Sequence, residues 1–218
     1  MHPGLFFDDA AHRYYLSGVW LPGVTSVLEG AGLIDYSFLG DRREQYLARG
    51  RAVHMASHAD DIGELDEQCL TAEILGYLEA WRAFRRDYGF VPSLIEHRVC
   101  NPAYRYAGTL DRVGKLRDGT EIILDLKTGV APAAVRYQLA AYAACLPHPR
   151  TRLRRCVELH ADASYRVIGF QTAEYAHDFE TFAAALRGVR EETIDDYRAR
   201  RHAAEGADLH RGRSGQGA

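Results

Sequence analysis

The sequence of 218 residues lacks the features that mark several large classes of protein. No apolar run approaches the ~20 residues that a membrane-spanning helix needs. The N-terminus has no basic segment followed by an apolar core, which is the pattern of a secretory signal. We therefore expect a soluble, cytoplasmic protein that makes no membrane contact. The net charge of −3 gives no strong field of either sign, so any nucleic-acid surface must be local.

The four cysteines are informative through their spacing, because no two of them form a Cys-x-x-Cys pair. Zinc ribbons and iron–sulfur clusters need closely spaced ligand cysteines, so the sequence predicts neither group. Reduced and mostly buried thiols are the expectation. A glycine-rich loop of the kind that cradles phosphates is missing as well, which argues against a small-molecule phosphoesterase.

What the chain does have is enough apolar side chain for one ordinary core, since 47% of its residues are hydrophobic. The order of helical and β patterns predicts an α/β domain, with a central mixed β-sheet flanked by helices, an N-terminal hairpin and a C-terminal helix over 178–200. We expect a single domain over residues 1–202, with its core at about 37–171. Residues 203–218 are expected to form a disordered tail.

One stretch, residues 108–142, carries most of the chemistry. Its pattern predicts a strand, a turn at 117–120, a second strand at 121–127 and a helix. Side chains alternate between the two faces of a strand, so Asp125 and Lys127 share one face and Leu126 takes the other. A carboxylate and an ammonium therefore leave the sheet side by side where the second strand ends.

Asp111 lies on the partner strand and joins these groups only if the hairpin register allows it. A two-residue turn would pair Asp111 with Leu126 and would direct its carboxylate to the opposite face, because a slip of one residue flips every side chain. We therefore predict a three-residue loop or a bulge that sets Asp111 roughly opposite Asp125.

Two further candidates lie upstream, His54 in a predicted helix and Glu96 on a predicted strand. Gly50 precedes His54 by one helical turn. A glycine inside a helix costs ~1 kcal/mol relative to alanine, so we expect another segment to approach closely at Gly50.

The candidate set combines carboxylates, one imidazole and one ammonium, from His54, Glu96, Asp111, Asp125 and Lys127. Such ligands favour Mg²⁺ or Mn²⁺ over zinc, because hard oxygen donors dominate. A protonated lysine cannot bind a cation, but it can orient or deprotonate an attacking water or offset charge on a phosphate. Two acids that hold a metal beside a lysine form a phosphodiesterase arrangement.

Three motifs occur in order: Gly-x-x-Asp at 108–111, Asp-x-Lys-Thr-Gly at 125–129 and Gln-x-x-x-Tyr at 138–142. Together they resemble the PD-(D/E)XK nuclease superfamily, in its RecB-like and phage-exonuclease-like branch. The segment 50–54, which ends at His54, is similar to the helical histidine motif of that branch. The resemblance covers about residues 50–145. The Pro-Asp dipeptide of the superfamily's name is missing, since Leu110 precedes Asp111, as is usual in this branch. Iron–sulfur relatives carry a cysteine spacing that this chain lacks.

The resemblance implies a restriction-endonuclease-like fold and metal-dependent hydrolysis of DNA, with one or two Mg²⁺ or Mn²⁺ ions and no iron–sulfur cluster. It assigns the metal to His54, Asp111, Asp125 and the backbone carbonyl of Leu126. It makes Lys127 the catalytic lysine, while Glu96 matches a frequent acidic position. Supporting or DNA-contacting positions are Gln138 and Tyr142, with Arg51 and Thr128 as further candidates for contact with DNA.

The function expected from the resemblance is that of an exonuclease in recombination, repair or phage DNA processing, in a bacterial or phage-infected cell. No sequence-reading module is visible. A structure-selective or single-strand endonuclease is an alternative, as is a non-cleaving DNA-binding subunit of a larger complex. The acidic residues and the lysine of the motifs are all present, which argues against a protein of this fold that has lost its activity. The expected partner is DNA, as a duplex end or a single strand. A homo-oligomer or a recombination partner protein is a further alternative.

Several of these residues also have ordinary structural explanations. Asp125 and Lys127 could form a surface ion pair of little energetic value. Gln138 and Tyr142 could simply pack their helix on the sheet. The arginines at 150, 152, 154 and 155 could form a solvated face or an edge that contacts phosphates.

Overall fold

Two β-sheets organise the protein, which is described by a computed structural model over residues 2–189. The first has three strands, β1 (Leu5–Asp8), β2 (Arg13–Leu16) and β3 (Val19–Leu21). The second has five strands in the order of the chain, β4 (Val91–Asn101), β5 (Tyr106–Lys115), β6 (Glu121–Thr128), β7 (Leu153–Leu159) and β8 (Tyr165–Phe170). Only the β6–β7 pairing within this sheet is parallel, so the predicted central mixed sheet is confirmed.

Five α-helices accompany the sheets within the described residues, α1 (Val24–Gly30), α2 (Arg43–Ile62), α3 (Ala72–Tyr88), α4 (Val135–Ala143) and α5 (Tyr175–Gly188). The helix α4 makes the crossover between the parallel strands β6 and β7. The predicted C-terminal helix begins at Tyr175, and the part of it predicted beyond residue 189 lies outside the described residues. The predicted tail at 203–218 lies there too. No helix over 2–189 is both long and apolar enough to cross a bilayer.

The helices form two apolar clusters with the large sheet. Side chains of α1, α4 and α5 make one cluster, which includes Val27, Leu139 and Phe182. The helices α2 and α3 make the other with the sheet, through Trp81 and Leu124 among others. The site described below lies where α2 meets the sheet.

The N-terminal hairpin forms as the sequence predicts, and β1 adds a third strand to it. Leu16 pairs with Val19, so Ser17 and Gly18 make a two-residue turn. Both turn residues have positive φ, of 49° and 81°, as the type I′ turn of a tight hairpin requires. A backbone hydrogen bond from Ala107 N–H to the Pro22 carbonyl joins this small sheet to the start of β5.

The hairpin between β5 and β6 has the predicted three-residue loop. Leu116 N–H donates to the Thr120 carbonyl at 3.0 Å, which closes the loop around residues 117–119. Gly119 supplies the left-handed conformation in this loop, with φ of 83°. In the resulting register Arg112 pairs with Leu124, so the next position places Asp111 opposite Asp125.

The structure corrects the expectation that Arg154 belongs to a solvated face or to an edge that contacts phosphates. Its side chain is buried and donates to Asp178 Oδ2 at 2.7 Å. A guanidinium can be buried only when a partner compensates for its lost hydration. This pair therefore attaches β7 to α5 and leaves Arg154 unavailable to DNA.

Candidate active site

The predicted site residues meet where α2 packs against β4 and β6 of the large sheet. His54 Nε2 lies 3.2 Å from the Leu126 carbonyl oxygen and 3.9 Å from Asp111 Oδ2. Its other ring nitrogen, Nδ1, donates to Glu96 Oε1 at 3.0 Å. Potential ligand atoms of His54, Glu96 and Asp111 all lie within 4.8 Å of one another. Residues from a helix and three strands thus converge on one point.

Asp111 is held by a backbone group that the sheet leaves unpaired. The β5–β6 pairing ends at Arg112 and Leu124, and Leu126 N–H donates to Asp111 Oδ2 at 2.7 Å instead of to another strand. Only 8% of Asp111 is exposed. Burial raises the pKa of this carboxyl group to about 7, with His54 opposing the rise and Asp125 adding to it.

Asp125 and Lys127 form a buried contact rather than the exposed ion pair considered above. Lys127 Nζ lies 2.6 Å from Asp125 Oδ2, and Asp125 is only 1% exposed. Burial lowers the pKa of the Lys127 ammonium, but the charges of Asp125 and Asp111 outweigh this effect and raise it. Lys127 is therefore a fixed positive charge beside the two acids.

The second oxygen of Asp125 is the clearest sign of a metal ligand. Asp125 Oδ1 is buried and makes no hydrogen bond among the described residues. An unsatisfied buried carboxylate oxygen is costly, because it has lost its hydration without gaining a partner. A hard divalent cation would supply that partner. The donor groups of the site fit Mg²⁺ or Mn²⁺ chemically, since they are carboxylates, a carbonyl and one imidazole.

Glu96 reaches the site through an unusual backbone conformation. The pairing of β4 with β5 passes from Ile95–Arg112 to His97–Leu110, so Glu96 and Asp111 lie opposite each other outside the ladder. Glu96 has φ of 44°, a left-handed conformation that costs a non-glycine residue about 1–3 kcal/mol. Burial raises the pKa of its carboxyl group, but the contact with His54 outweighs this and lowers it.

His54 is held in a charged state by its two carboxylates. Burial lowers the pKa of the imidazole, yet Asp111 and Glu96 together raise it to about 9. Both ring N–H groups have acceptors, Glu96 Oε1 and the Leu126 carbonyl. Loss of the Nε2 proton would turn that nitrogen into a ligand that already faces Asp111 and Leu126.

Arg112 is not among the residues that the sequence motifs single out, yet it supports the site. Its guanidinium is fully buried and donates to Asp61 Oδ2 at 2.6 Å, to Glu96 Oε1 at 2.9 Å and to Ser57 Oγ at 3.0 Å. It also donates to the Asp111 carbonyl at 2.8 Å. The sequence signal for this role was the presence of a charged residue, Arg112, within an otherwise apolar strand. Its partner Asp61, 51 residues away, could not be identified from local patterns.

Gln138 and Tyr142 lie behind the acids, where their helix α4 packs on β5. A Cβ atom at Gly108 would lie 2.6 Å from Tyr142 Cε1, so the glycine of the Gly-x-x-Asp motif makes room for this ring. Gln138 and Tyr142 are 6% and 4% exposed. Their burial favours support of the site over direct contact with DNA. Thr128 is also buried, whereas Arg51 is exposed.

The predicted close approach at Gly50 is wrong. The nearest atom to a Cβ at this position is Thr128 Oγ1, at the ordinary contact distance of 3.8 Å. An alanine would fit there, because the neighbouring strand leaves enough room. Gly50 instead lines the open cleft in front of the site.

This cleft has a volume of about 710 Å³, and we call the part of its lining that belongs to the site the floor. His54, Glu96, Leu126 and Lys127 line the floor. The remaining lining mixes polar and apolar residues: His12, Thr25, Gly50, Arg51, His58 and Thr128, together with Tyr36, Tyr46, Leu47 and Met55. A substrate in the cleft can therefore contact Glu96 and Lys127, whereas Asp111 and Asp125 lie buried behind its lining.

Comparison with known proteins adds distant structural similarity alone. No protein-family model matches the chain, and a search of curated proteins finds no match. Among solved structures, the chain is similar to an alkaline exonuclease (LHK-Exo) from Laribacter hongkongensis, with 16% sequence identity and a TM-score of 0.33. The match covers 81% of this chain and 92% of that chain. A likeness this distant carries no argument about function, which must rest on the site itself.

Proposed function

We propose that this protein is a nuclease that hydrolyses phosphodiester bonds of DNA with Mg²⁺ or Mn²⁺. The observation that carries the proposal is the proximity of His54 Nε2 to the Leu126 carbonyl and to buried Asp111, at 3.2 and 3.9 Å. On the neighbouring strand Lys127 contacts buried Asp125 at 2.6 Å. These are the positions to which the PD-(D/E)XK resemblance assigns metal and catalysis. The convergence supports that assignment, because residues from distant parts of the chain have no structural need to meet there.

The metal would be held by Asp111, Asp125, His54 and the Leu126 carbonyl. A divalent ion bound to these groups supplies Lewis-acid charge that stabilises a phosphate while negative charge develops on it. The unpartnered Asp125 Oδ1 supports this assignment, since it is a buried anionic oxygen with no hydrogen-bond donor in the described part of the chain.

The protein's own residues have separable roles in the proposed reaction. Lys127 presents N–H donors and a positive charge at the floor of the cleft, where it can orient a water for attack or offset phosphate charge. Asp125 fixes the position of Lys127 through their 2.6 Å contact. Glu96 accepts a hydrogen bond from His54 Nδ1, which directs Nε2 towards Asp111 and Leu126.

Within this class we propose an exonuclease that acts in recombination, repair or phage DNA processing. The support is the resemblance of the motifs to those of end-processing enzymes. An endonuclease with the same metal site, or a DNA-binding subunit that does not cut, would share much of the geometry. The choice between them depends on whether DNA without ends is cut.

The test uses linear and covalently closed circular DNA, each with Mg²⁺, Mn²⁺ or EDTA. We expect the wild-type chain to degrade linear DNA only, and to lose this activity in EDTA. Lys127→Ala should lower the rate about 100-fold or more, because a fixed charge at the reacting phosphate is removed. The chain has one other lysine, Lys115, which is exposed at the end of β5 and makes a matched control.

The outcomes of this test separate the alternatives. Lys115→Ala should degrade linear DNA at the wild-type rate. Cutting of closed circles would favour an endonuclease. Binding of DNA without cleavage under every metal condition would contradict the nuclease proposal and favour a non-cleaving subunit.

A further inference from the structure

Lys127 lies next to a second buried acid besides Asp125. The strands β6 and β7 run parallel, and their pairing sets Lys127 beside Glu158 just as it sets Asp125 beside Cys156. Side chains at paired positions of neighbouring strands point to the same face of a sheet. Glu158 is 1% exposed, and the motifs assign it no role. One lysine therefore has two acids in its neighbourhood.

The carboxylate of Glu158 is occupied by donors from elsewhere. Arg166, which pairs with Glu158 from β8, donates from Nε to Oε2 at 2.6 Å and from Nη2 to Oε1 at 3.0 Å. Ala131 N–H donates to Oε1 at 2.7 Å. Burial raises the pKa of the Glu158 carboxyl group, but the contact with Arg166 outweighs this and lowers it, so the group is an anion. Both oxygens are thus engaged, and Lys127 contacts Asp125 instead.

Arg166 neutralises this acid from outside the site. Its side chain is 61% exposed, and it does not line the cleft. A planar guanidinium matches a carboxylate with two parallel hydrogen bonds. Without it, buried Glu158 would be an uncompensated charge, which a protein interior tolerates poorly. A proton or another cation would have to take the place of Arg166.

Lys127 is the cation placed to do so. Neighbouring strands lie about 4.8 Å apart, a gap that the flexible four-carbon stem of a lysine can span. A turn towards Glu158 would take Nζ away from Asp125 Oδ2, which now lies 2.6 Å from it. The positive charge at the floor of the cleft would then move towards β7.

We propose that Arg166 is a positioning residue for Lys127. By occupying Glu158, it prevents this buried acid from drawing the lysine away from Asp125 and from the floor of the cleft. This inference rests on the proposed function, because it concerns the lysine of the same site.

Turnover of linear DNA tests the proposal by removal and rescue. Arg166→Met should lower kcat about 10- to 100-fold and change KM by less than about threefold, because Lys127 is displaced while substrate contacts remain. Glu158→Gln keeps an acceptor for Ala131 N–H but has no charge to attract a lysine. The double variant Arg166→Met/Glu158→Gln should therefore return kcat to within about threefold of wild type. A wild-type kcat in Arg166→Met, or no recovery in the double variant, would overturn the proposal.

The matched control is Arg86→Met, which removes an arginine of α3 whose side chain is 71% exposed and lies 3.7 Å from the exposed acid Asp87. We expect this variant to cleave at the wild-type rate. An equal loss in Arg86→Met and Arg166→Met would show an effect of surface charge in general and would contradict a role through Glu158.

The affinity for Mn²⁺ distinguishes displacement of Lys127 from a general loosening of the site. The ammonium repels a divalent ion beside Asp125, so its departure in Arg166→Met should tighten Mn²⁺ binding about fivefold. Arg166→Gln keeps a hydrogen-bond donor for Glu158 but no charge. It should behave alike, and it replaces Arg166→Met if that variant fails to fold. Weaker Mn²⁺ binding in these variants would indicate a loosened site and would overturn the proposal.

The two lysines of the chain allow Lys127 to be observed directly. In protein labelled with ¹³C at lysine, NMR shows side-chain signals of Lys127 and of the exposed Lys115 alone. We expect the Lys127 signals to shift in Arg166→Met and to return in Arg166→Met/Glu158→Gln, while the Lys115 signals stay in place. Lys127 signals that do not shift would contradict the displacement.

This NMR measurement needs neither metal nor DNA, so it keeps the inference separate from the proposed function. Signals that shift and return in a chain that cuts no DNA would overturn the nuclease proposal and leave the displacement of Lys127 intact. Wild-type cleavage by Arg166→Met, with unshifted signals, would overturn the role of Arg166 and leave the nuclease proposal intact.

Discussion

At the scale of single residues, the site depends on charges that the interior tolerates only in contact with one another. The side chains of Arg112 and Asp61 are both fully buried and meet at 2.6 Å. Asp61 also accepts a hydrogen bond from Trp81 Nε1 at 3.0 Å, and Arg112 connects this network to Glu96. Arg112 therefore stabilises the strained conformation of Glu96, although Arg112 itself does not line the cleft.

Removal of this cation should be strongly destabilising. We expect Arg112→Met to lower the free energy of unfolding by about 1–3 kcal/mol, because Asp61 Oδ2 and Glu96 lose a buried charged donor. Arg85 Nη1, 2.8 Å from Asp61 Oδ1, still compensates part of the Asp61 charge. Urea denaturation measures the change. Arg117→Met is the matched control: this arginine is exposed on the loop after β5, and its loss should change stability by less than about 0.5 kcal/mol. Equal stability of the two variants would show that the network does not hold the fold.

At the scale of elements, the β5–β6 hairpin was predictable in detail. Period-two alternation placed Asp125 and Lys127 together, and the need for Asp111 to join them selected a three-residue loop, which the structure contains. Local sequence could not reveal the Arg154–Asp178 pair, because the two residues belong to separate elements that meet only in the folded protein. The local sequence also gave no reason to expect that a side chain would fit at position 50, where the chain has Gly50.

The two motif glycines should respond in opposite ways to alanine. At Gly108 a Cβ atom would lie 2.6 Å from the Tyr142 ring, so Gly108→Ala should destabilise the protein by about 1–3 kcal/mol. At Gly50 the nearest atom is 3.8 Å away and the residue lies inside α2, so Gly50→Ala should stabilise by up to ~1 kcal/mol through helix propensity. Denaturant unfolding of both variants measures the difference, and a change of the same sign in both would contradict the packing described here.

At the scale of the whole molecule, the candidate site joins two layers of the fold. His54 comes from α2, whereas Asp111, Asp125 and Leu126 come from the sheet. A ligand that binds all of them links helix to sheet and stabilises the folded state by mass action, since the unfolded chain does not present these groups together. Protons compete for the same atoms, so the site connects stability to pH.

The metal-free protein should become less stable as pH rises. Asp111 has its pKa raised from 3.8 to about 7, and His54 has its pKa raised from 6.5 to about 9. In each case the folded state holds a proton that the unfolded chain has released, so this stabilisation is lost as pH rises through the folded value. We expect Tm in EDTA to fall between pH 6.5 and pH 9, and the increase in Tm caused by Mn²⁺ to grow over the same interval.

Calorimetric scans with and without Mn²⁺ measure both effects. Asp111→Asn removes one titrating group and one negative charge that raises the pKa of His54, so its Tm in EDTA should vary less with pH than that of wild type. A Tm in EDTA that is constant or rises over this interval would contradict the electrostatics of the site.

The central claim is that Asp111, Asp125 and His54 bind a divalent ion, and titration of the full chain with Mn²⁺ tests it most directly. Calorimetry or electron paramagnetic resonance should show saturable binding to wild type and to Lys115→Ala. Asp125→Asn, which neutralises the carboxylate with the unpartnered oxygen, should weaken binding by about 100-fold or more, since loss of even an outer partner of a metal ligand costs roughly 10- to 100-fold. Equal Mn²⁺ affinity in wild type, Asp111→Asn and Asp125→Asn would contradict the account.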